Sequence, residues 1–293
     1  RVAVARRLII VTGMSGAGKT TVLNVLEDLS YYCIDSLPIG LAPELFSQIR
    51  SAEQPLYENV AIGIDARNPA DVLTNFPRFL RHQQSDELTV ELVYVEAGDE
   101  ALLRRFSETR RKHPLSATEV SLTVAIHEER RLLRPLAEYA DLRIDTSRTS
   151  VHQLRALVRE RVAQRRANIM SVQLISFGFK HGLPADADLV FDVRCLPNPH
   201  WEPRLRDLSG RDAPVIEFLE AAPLVHDMTA QLRAFLDAWL PRFETDQRSY
   251  LTVAVGCTGG HHRSVYIVER LAAHLSSHGR HVLVTHRDGT GLL

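Results

Sequence analysis

Gly13-Met14-Ser15-Gly16-Ala17-Gly18-Lys19-Thr20 satisfies the pattern G-x-x-x-x-G-K-[ST] at every fixed position. Residues of these types at this spacing bind the phosphates of a nucleotide. The glycines let the chain curl until successive N–H groups point inward, Lys19 reaches the outer phosphates, and the Thr20 hydroxyl is a ligand for Mg²⁺. A second stretch with related chemistry lies far downstream. Cys257-Thr258-Gly259-Gly260-His261-His262-Arg263-Ser264 fits C-x-x-G-x-x-R-[ST], the phosphate loop of cysteine phosphatases. There, loop amides and an arginine fork hold a phosphate at a helix N-terminus, and a low-pKa cysteine attacks it. Two readings follow: a phosphatase with Cys257 as nucleophile, or a sensor that binds a phosphorylated metabolite without cleaving it. Gly256 stands where those phosphatases usually carry a histidine, and no acid is clearly placed to protonate a leaving group, so binding is favoured over catalysis.

The elements that must position the first loop surround it. Residues 8–12 are apolar and β-branched, as in a buried strand, and 21–29 place Val22, Leu23, Val25, Leu26 and Leu29 at helical spacing. Further strands are expected at 31–35, 59–64, 89–95 and 140–145, with helices at 41–49, 99–106, 120–136 and 151–166. Asp35 ends the second strand, placed either to hold a substrate group or a Mg²⁺-bound water, or to cap a helix. Asp65 closes the third strand in the manner of a Walker B acid, so Thr20 and Asp65 are the expected Mg²⁺ ligands. The basic run 104–114 reads as a lid over the triphosphate, with Arg110 and Arg111 at its tip. This alternation predicts a P-loop kinase-like, doubly wound parallel α/β domain over residues 1–166. There is no N-K-x-D segment to read guanine, which leaves ATP and GTP both open.

A chain of 293 residues exceeds one typical core of roughly 150. Residues 167–293 are accordingly expected to form a second, smaller α/β domain, with strands at 167–177, 187–193 and 250–256 and a helix running to about 276. Asp192 and Arg194 are expected on one face of a strand, and His181, Asn198 and His200 at neighbouring chain turns, together the makings of a ligand pocket. With 45% hydrophobic and 24% charged residues the composition is that of a globular protein, and a net charge of −1 argues against a generally basic nucleic-acid coat. Three well-separated cysteines, no apolar run near 18 residues and no signal pattern predict a cytoplasmic protein without membrane association.

The strings SGAGKT, VLEDLSYYCIDSLP, IDARN, SETRRKHPLS, DTSRTSVHQLR, SFGFKHGLPADADLVFDVRCLPNPHW and RSYLTVAVGCTGGHHRSVYIVERLA cover nearly the whole chain. In them the sequence resembles the RNase adapter protein family of RapZ and its relatives. The resemblance implies a nucleotide-binding regulator whose first domain binds ATP or GTP with at most slow hydrolysis. It implies a second domain that senses glucosamine-6-phosphate, binds small regulatory RNA and presents it to the endoribonuclease RNase E, in a self-associating protein. Carried over by matching strings, the nucleotide site is Gly13 to Thr20 with Asp65, Ala66, Arg67 and Asn68. The sugar-phosphate site is Asp192, Arg194, His200, Cys257, Thr258, Gly259, Gly260, His262 and Arg263. A small-molecule P-loop kinase is the alternative beside the phosphatase. The family's RNA-binding members end in a Lys/Arg-rich tail, whereas residues 277–293 carry only Arg280 and Arg287 as fixed positive charges. Over 167–293, Lys180 and eleven arginines stand against fourteen acids, a net charge of about −2. RNA contacts would therefore fall to Lys180, Arg280 and Arg287, or be absent.

Overall fold

The computed structural model describes residues 6–51, 55–109, 112–116, 120–163, 170–246 and 248–288. It divides into two compact units, Arg1–Gln164 and Arg165–Leu293. The expected lid tip, Arg110 and Arg111, lies outside the described residues, as does the junction at 164–169.

The first unit carries strands β1 (Arg6–Gly13), β2 (Tyr32–Ile34), β3 (Asn59–Gly63), β4 (Leu88–Glu96) and β5 (Leu142–Asp145). They form one sheet in the order β2-β3-β1-β4-β5, with every pairing parallel. A parallel sheet needs helices on both faces, so its central strands are buried on both sides. Leu8, Ile9, Ile10 and Val11 of β1 are accordingly inaccessible to solvent. The crossovers run through α1 (Lys19–Asp28), α2 (Ala42–Ser51), α3 (Ala70–Arg81), α4 (Asp99–Thr109) and α5 (Leu122–Tyr139), and α6 (Val151–Leu157) follows β5. The expected helix at 151–166 is α-helical only to Leu157 and continues as a π-helical stretch, Val158–Ala163.

The second unit holds β6 (Ser171–Gly178), β7 (Leu189–Asp192), β8 (Tyr250–Cys257) and β9 (His281–His286), a parallel sheet in the order β7-β8-β6-β9. All eight residues of β6 and of β8 are buried. Helices α7 (Ala213–Glu220), α8 (Pro223–Thr245) and α9 (Arg263–Ser277) pack with them. Leu236 and Leu240 of α8 meet Val268 and Leu271 of α9 in a core shared with Leu251 and Val253 of β8. Sequence periodicity had located α9 but not α7, α8 or β9. The strand expected to carry both Asp192 and Arg194 stops at Asp192, so Arg194 lies beyond its end.

In both sheets the strand registers bring the loop-bearing ends level. Val11 of β1 pairs with Gly63, and Gly13 with Val95. Gly178 pairs with Cys257, and Asp192 with Gly256. Parallel strands present their carboxyl ends along one edge, which is where an open α/β sheet binds ligands.

Candidate functional sites

In the first unit the phosphate loop closes tightly on its own sheet. Gly13, Gly16 and Gly18 have φ of 133°, 83° and 113°, a region that L side chains rarely enter. A Cβ on Gly13 would stand 1.9 Å from the Val95 carbonyl oxygen, and one on Gly18 would stand 2.8 Å from Leu154 Cδ2. Gly18 also caps α1 in the left-handed conformation, so the loop leads directly into a helix N-terminus with its partial positive charge. Lys19 Nζ donates to the Gly13 carbonyl at 2.6 Å. Burial pushes the Lys19 pKa down against the opposing pull of Glu129, Asp65 and Asp35, so three carboxylates face this ammonium. Met14 and Ala17 are buried, while Thr20 is exposed. The positive-φ turn, the lysine and an accessible threonine hydroxyl fit a nucleotide's phosphates and an accompanying Mg²⁺.

Asp65 follows β3, and both its oxygens are engaged by Arg67, whose Nη2 donates to Oδ2 at 2.5 Å and whose backbone N–H donates to Oδ1 at 3.0 Å. Burial works against ionisation of Asp65, but the bonds from Arg67 outweigh it and hold the carboxyl below its ordinary range. Asn68 turns inward, its Nδ2 donating to the Asp65 carbonyl and its Oδ1 accepting from Ile39 N. Ala66 is buried beside them. Asp35 is exposed and caps no α-helix; its Oδ1 accepts from Ser36 Oγ and lies 2.6 Å from where a Cβ on Gly63 would stand.

Two contributions differ from the sequence reading: Arg105, expected as part of a lid, holds the loop's own backbone, and Glu129 was not read at all. Arg105, on α4, donates to the Gly16 carbonyl at 3.0 Å and to Thr146 Oγ1, and Thr146 Oγ1 donates to the Ala17 carbonyl at 2.7 Å. Glu129, on α5, is inaccessible to solvent and accepts from Ser15 N at 2.9 Å, Ser15 Oγ at 2.7 Å and His113 Nε2 at 2.9 Å. Its signature was present: Glu129 falls on the buried stripe of α5, with Ala125, Ile126, Leu133 and Leu136. An acid on an apolar stripe has to find partners.

In the second unit, loops from all four strands meet at Cys257–Arg263. A Cβ on Gly178, at the end of β6, would stand 2.6 Å from the Gly259 carbonyl carbon. Gly260, at φ 80°, donates its N–H to Cys257 Sγ at 3.2 Å, and Ser264 Oγ lies 3.2 Å from the same sulfur. Beyond β9, Asp288 accepts from Gly178 N at 2.8 Å, and Arg287 donates to Asp288 and to the Gly182 carbonyl. Lys180 comes within 3.8 Å of where a Cβ on Gly259 would stand, which sets its ammonium beside the loop.

Arg263 does not hold its fork open. Its Nη1 donates to the carbonyls of Arg194 (2.8 Å) and Leu196 (3.0 Å), and its Nη2 to Thr258 Oγ1 (3.2 Å), while its Nε is buried without a partner. His262 is buried and meets the Leu205 carbonyl at 3.0 Å; burial pushes its pKa down. Asp192 and Arg194 form a bidentate pair, with Nη2 to Oδ2 at 2.7 Å, and the bonds from Arg194 hold the Asp192 carboxyl below its usual range. The Arg194 guanidinium also lies 4.1 Å from the centre of the Phe179 ring. His200 is exposed, 6.4 Å between ring centres from His262. The sheet edge thus brings Asp192, Arg194, Lys180 and the cysteine loop together. Arg280 stands apart, paired with Glu244 at 2.6 Å.

Comparison with known proteins matches both halves. Residues 6–166 fit the family model described as the RapZ-like N-terminal domain, and residues 170–290 that described as the RapZ C-terminal domain. A nucleotide-binding protein of Stutzerimonas stutzeri is 49% identical over 282 residues, 96% of this chain and 99% of the relative. One from Methylococcus capsulatus is 50% identical over 282 residues, 96% of each chain. Among solved structures, the shikimate kinase of Acinetobacter baumannii in complex with shikimate matches 56% of this chain and 97% of its own at 19% identity, with a TM-score of 0.37. YorR of Bacillus subtilis matches 51% and 91% at 20% identity, with a TM-score of 0.36. Matched in both units and about half identical to relatives over nearly its full length, the chain belongs to the RapZ family of nucleotide-binding proteins.

Proposed function

We propose that this protein binds a nucleotide in its first unit and senses a phosphosugar in its second. In the first unit ATP or GTP is held by Gly13 to Thr20, and Thr20 and Asp65 would hold a Mg²⁺ accompanying it. When bound, the metal neutralises phosphate charge. Lys19 moves from the Gly13 carbonyl to the outer phosphates, and Arg105 fixes the loop's shape from behind.

In the second unit the ligand is glucosamine-6-phosphate. The observation that carries this reading is that Lys180 and the Asp192–Arg194 pair meet at the Cys257 to Arg263 loop: Lys180 is a cation for a phosphate, and the pair, once opened by the ligand, offers Arg194 to the phosphate and Asp192 to an ammonium. Thr258, Gly259 and Gly260 line the phosphate side, and His200 faces the sugar. The Arg263 fork is spent on two carbonyls, so Arg263 shapes the site rather than gripping the phosphate. The same commitment argues against a phosphatase, in which that fork has to receive the transferred group.

The resemblance to RNase adapters supports a further reading, that the protein, as a homo-oligomer, binds small regulatory RNA and presents it to RNase E. Of the basic residues expected to serve it, Lys180 is exposed beside the loop, whereas Arg280 pairs with Glu244 and Arg287 with Asp288. Calorimetry on the full chain tests the sugar site, with glucosamine-6-phosphate binding and glucose-6-phosphate binding more weakly. Asp192→Asn should erase that difference. Absence of binding by either sugar at millimolar concentration sinks the assignment.

A further inference from the structure

Glu129 places a full negative charge against a loop built to receive anions. Its carboxylate takes both the backbone N–H and the hydroxyl of Ser15, the third residue of the phosphate loop. Its third bond comes from His113, whose side chain and that of Glu129 are 0% and 1% exposed. The imidazole does not neutralise it. Leu115 N donates to His113 Nδ1 at 3.1 Å, so Nδ1 is the unprotonated nitrogen, and the ring's single proton sits on Nε2, facing Glu129. A doubly protonated ring would set its Nδ1–H against the Leu115 N–H. The hydrogen bonds to Glu129, together with the Lys19 charge, keep it ionised despite burial. Lys19 is the cation that the outer phosphates must share with it.

We propose that Glu129 sets the preference of the phosphate loop between nucleoside diphosphates and triphosphates, its carboxylate holding the Ser15 donors and a fixed charge beside Lys19 that a terminal phosphate has to displace. A diphosphate brings less charge toward that carboxylate and leaves the Ser15–Glu129–His113 chain intact. A triphosphate adds negative charge on the side that Lys19 serves, where like charges a few ångströms apart repel strongly. The inference rests on nucleotide binding in the first unit.

The test is calorimetry with ADP and ATP, each with EDTA and with Mg²⁺, on the full-length parent, Glu129→Gln and Ser15→Ala. The parent should bind ADP more tightly than ATP in EDTA. Glu129→Gln keeps the side chain's shape and removes its charge; it should shift the ADP-to-ATP affinity ratio at least tenfold toward ATP. Ser15→Ala keeps the charge and one of the two Ser15 bonds, and should shift the ratio less than threefold. A merely structural Glu129 would weaken both nucleotides together, so an unchanged ratio in Glu129→Gln overturns the proposal. A parent that prefers ATP in EDTA overturns it without recourse to any variant. Binding of neither nucleotide by the parent overturns it together with the nucleotide reading beneath it.

Discussion

Arg263→Ala tests whether the arginine of the second loop clamps protein or ligand. The side chain is 4% exposed and gives three hydrogen bonds, to the Arg194 and Leu196 carbonyls and to Thr258 Oγ1. A hydrogen bond from a charged donor contributes about 1.5–3 kcal/mol. The three share one side chain and water can fill part of the gap, so they do not add fully; a loss of roughly 3–4 kcal/mol is expected. For a unit of this size that is a fall in Tm of about 10 °C or more. Both tryptophans of the chain, Trp201 and Trp239, lie in the second unit, so intrinsic tryptophan fluorescence follows its unfolding separately from the first. Phosphosugar affinity should fall as well, because the chain from Asp192 to Asn198 loses its tie to the loop. A variant that melts within a degree of the parent and loses only phosphosugar affinity would show that the fork acts on the ligand, refuting this reasoning.

Three other outcomes follow from the geometry. Lys19→Ala should weaken nucleotide binding by about 1.5–3 kcal/mol for each phosphate bond lost, roughly ten- to a hundredfold in calorimetry, with little change in Tm; equal affinities would remove Lys19 from the site. Gly178→Ala puts a methyl group 2.6–2.7 Å from the Gly259 carbonyl and should destabilise the second unit and abolish phosphosugar binding, read by the same fluorescence melt and by calorimetry. Glu129 is held below its ordinary pKa when folded, so its stabilisation is complete above the unfolded carboxyl pKa of about 4.3 and is lost as pH falls through the lower folded value. The parent should therefore lose stability more steeply than Glu129→Gln below about pH 4; parallel acid profiles would contradict this.

The phosphate loop was legible because its chemistry is local: glycines for positive φ, a lysine at fixed spacing, an apolar strand before and an amphipathic helix after. The five strands of the first unit and the β8–α9 passage were legible for the same reason. Less visible was what depends on contact at a distance. Glu129 meets Ser15 across 114 positions, Arg105 meets Gly16 across 89, and Arg263 meets Arg194 across 69. The sequence marks Arg263 as an anion-binding arginine but does not say that two carbonyls claim its fork. Strand β9 escaped because His281, His286 and Thr285 dilute its apolar pattern, and it forms as an edge strand beside β6 rather than as part of a buried run. Helix α8 is long, but its buried residues are only Val225, Thr229, Leu232, Leu236 and Leu240, a narrow stripe within 23 residues.

The way the two anion loops are backed also sets when each is finished during synthesis. The nucleotide loop has its described supports, down to Thr146 against Ala17 and Leu154 beside Gly18, within the first unit, and that domain can fold while the rest is still being made. The cysteine loop emerges by Arg263, but the Gly178 N–H that lies beneath it is held by Asp288, 110 residues later in the chain. A nascent chain halted between those points carries the whole loop without its floor. If the second unit senses a phosphosugar as proposed, that recognition arrives only once β9 and Asp288 have been made.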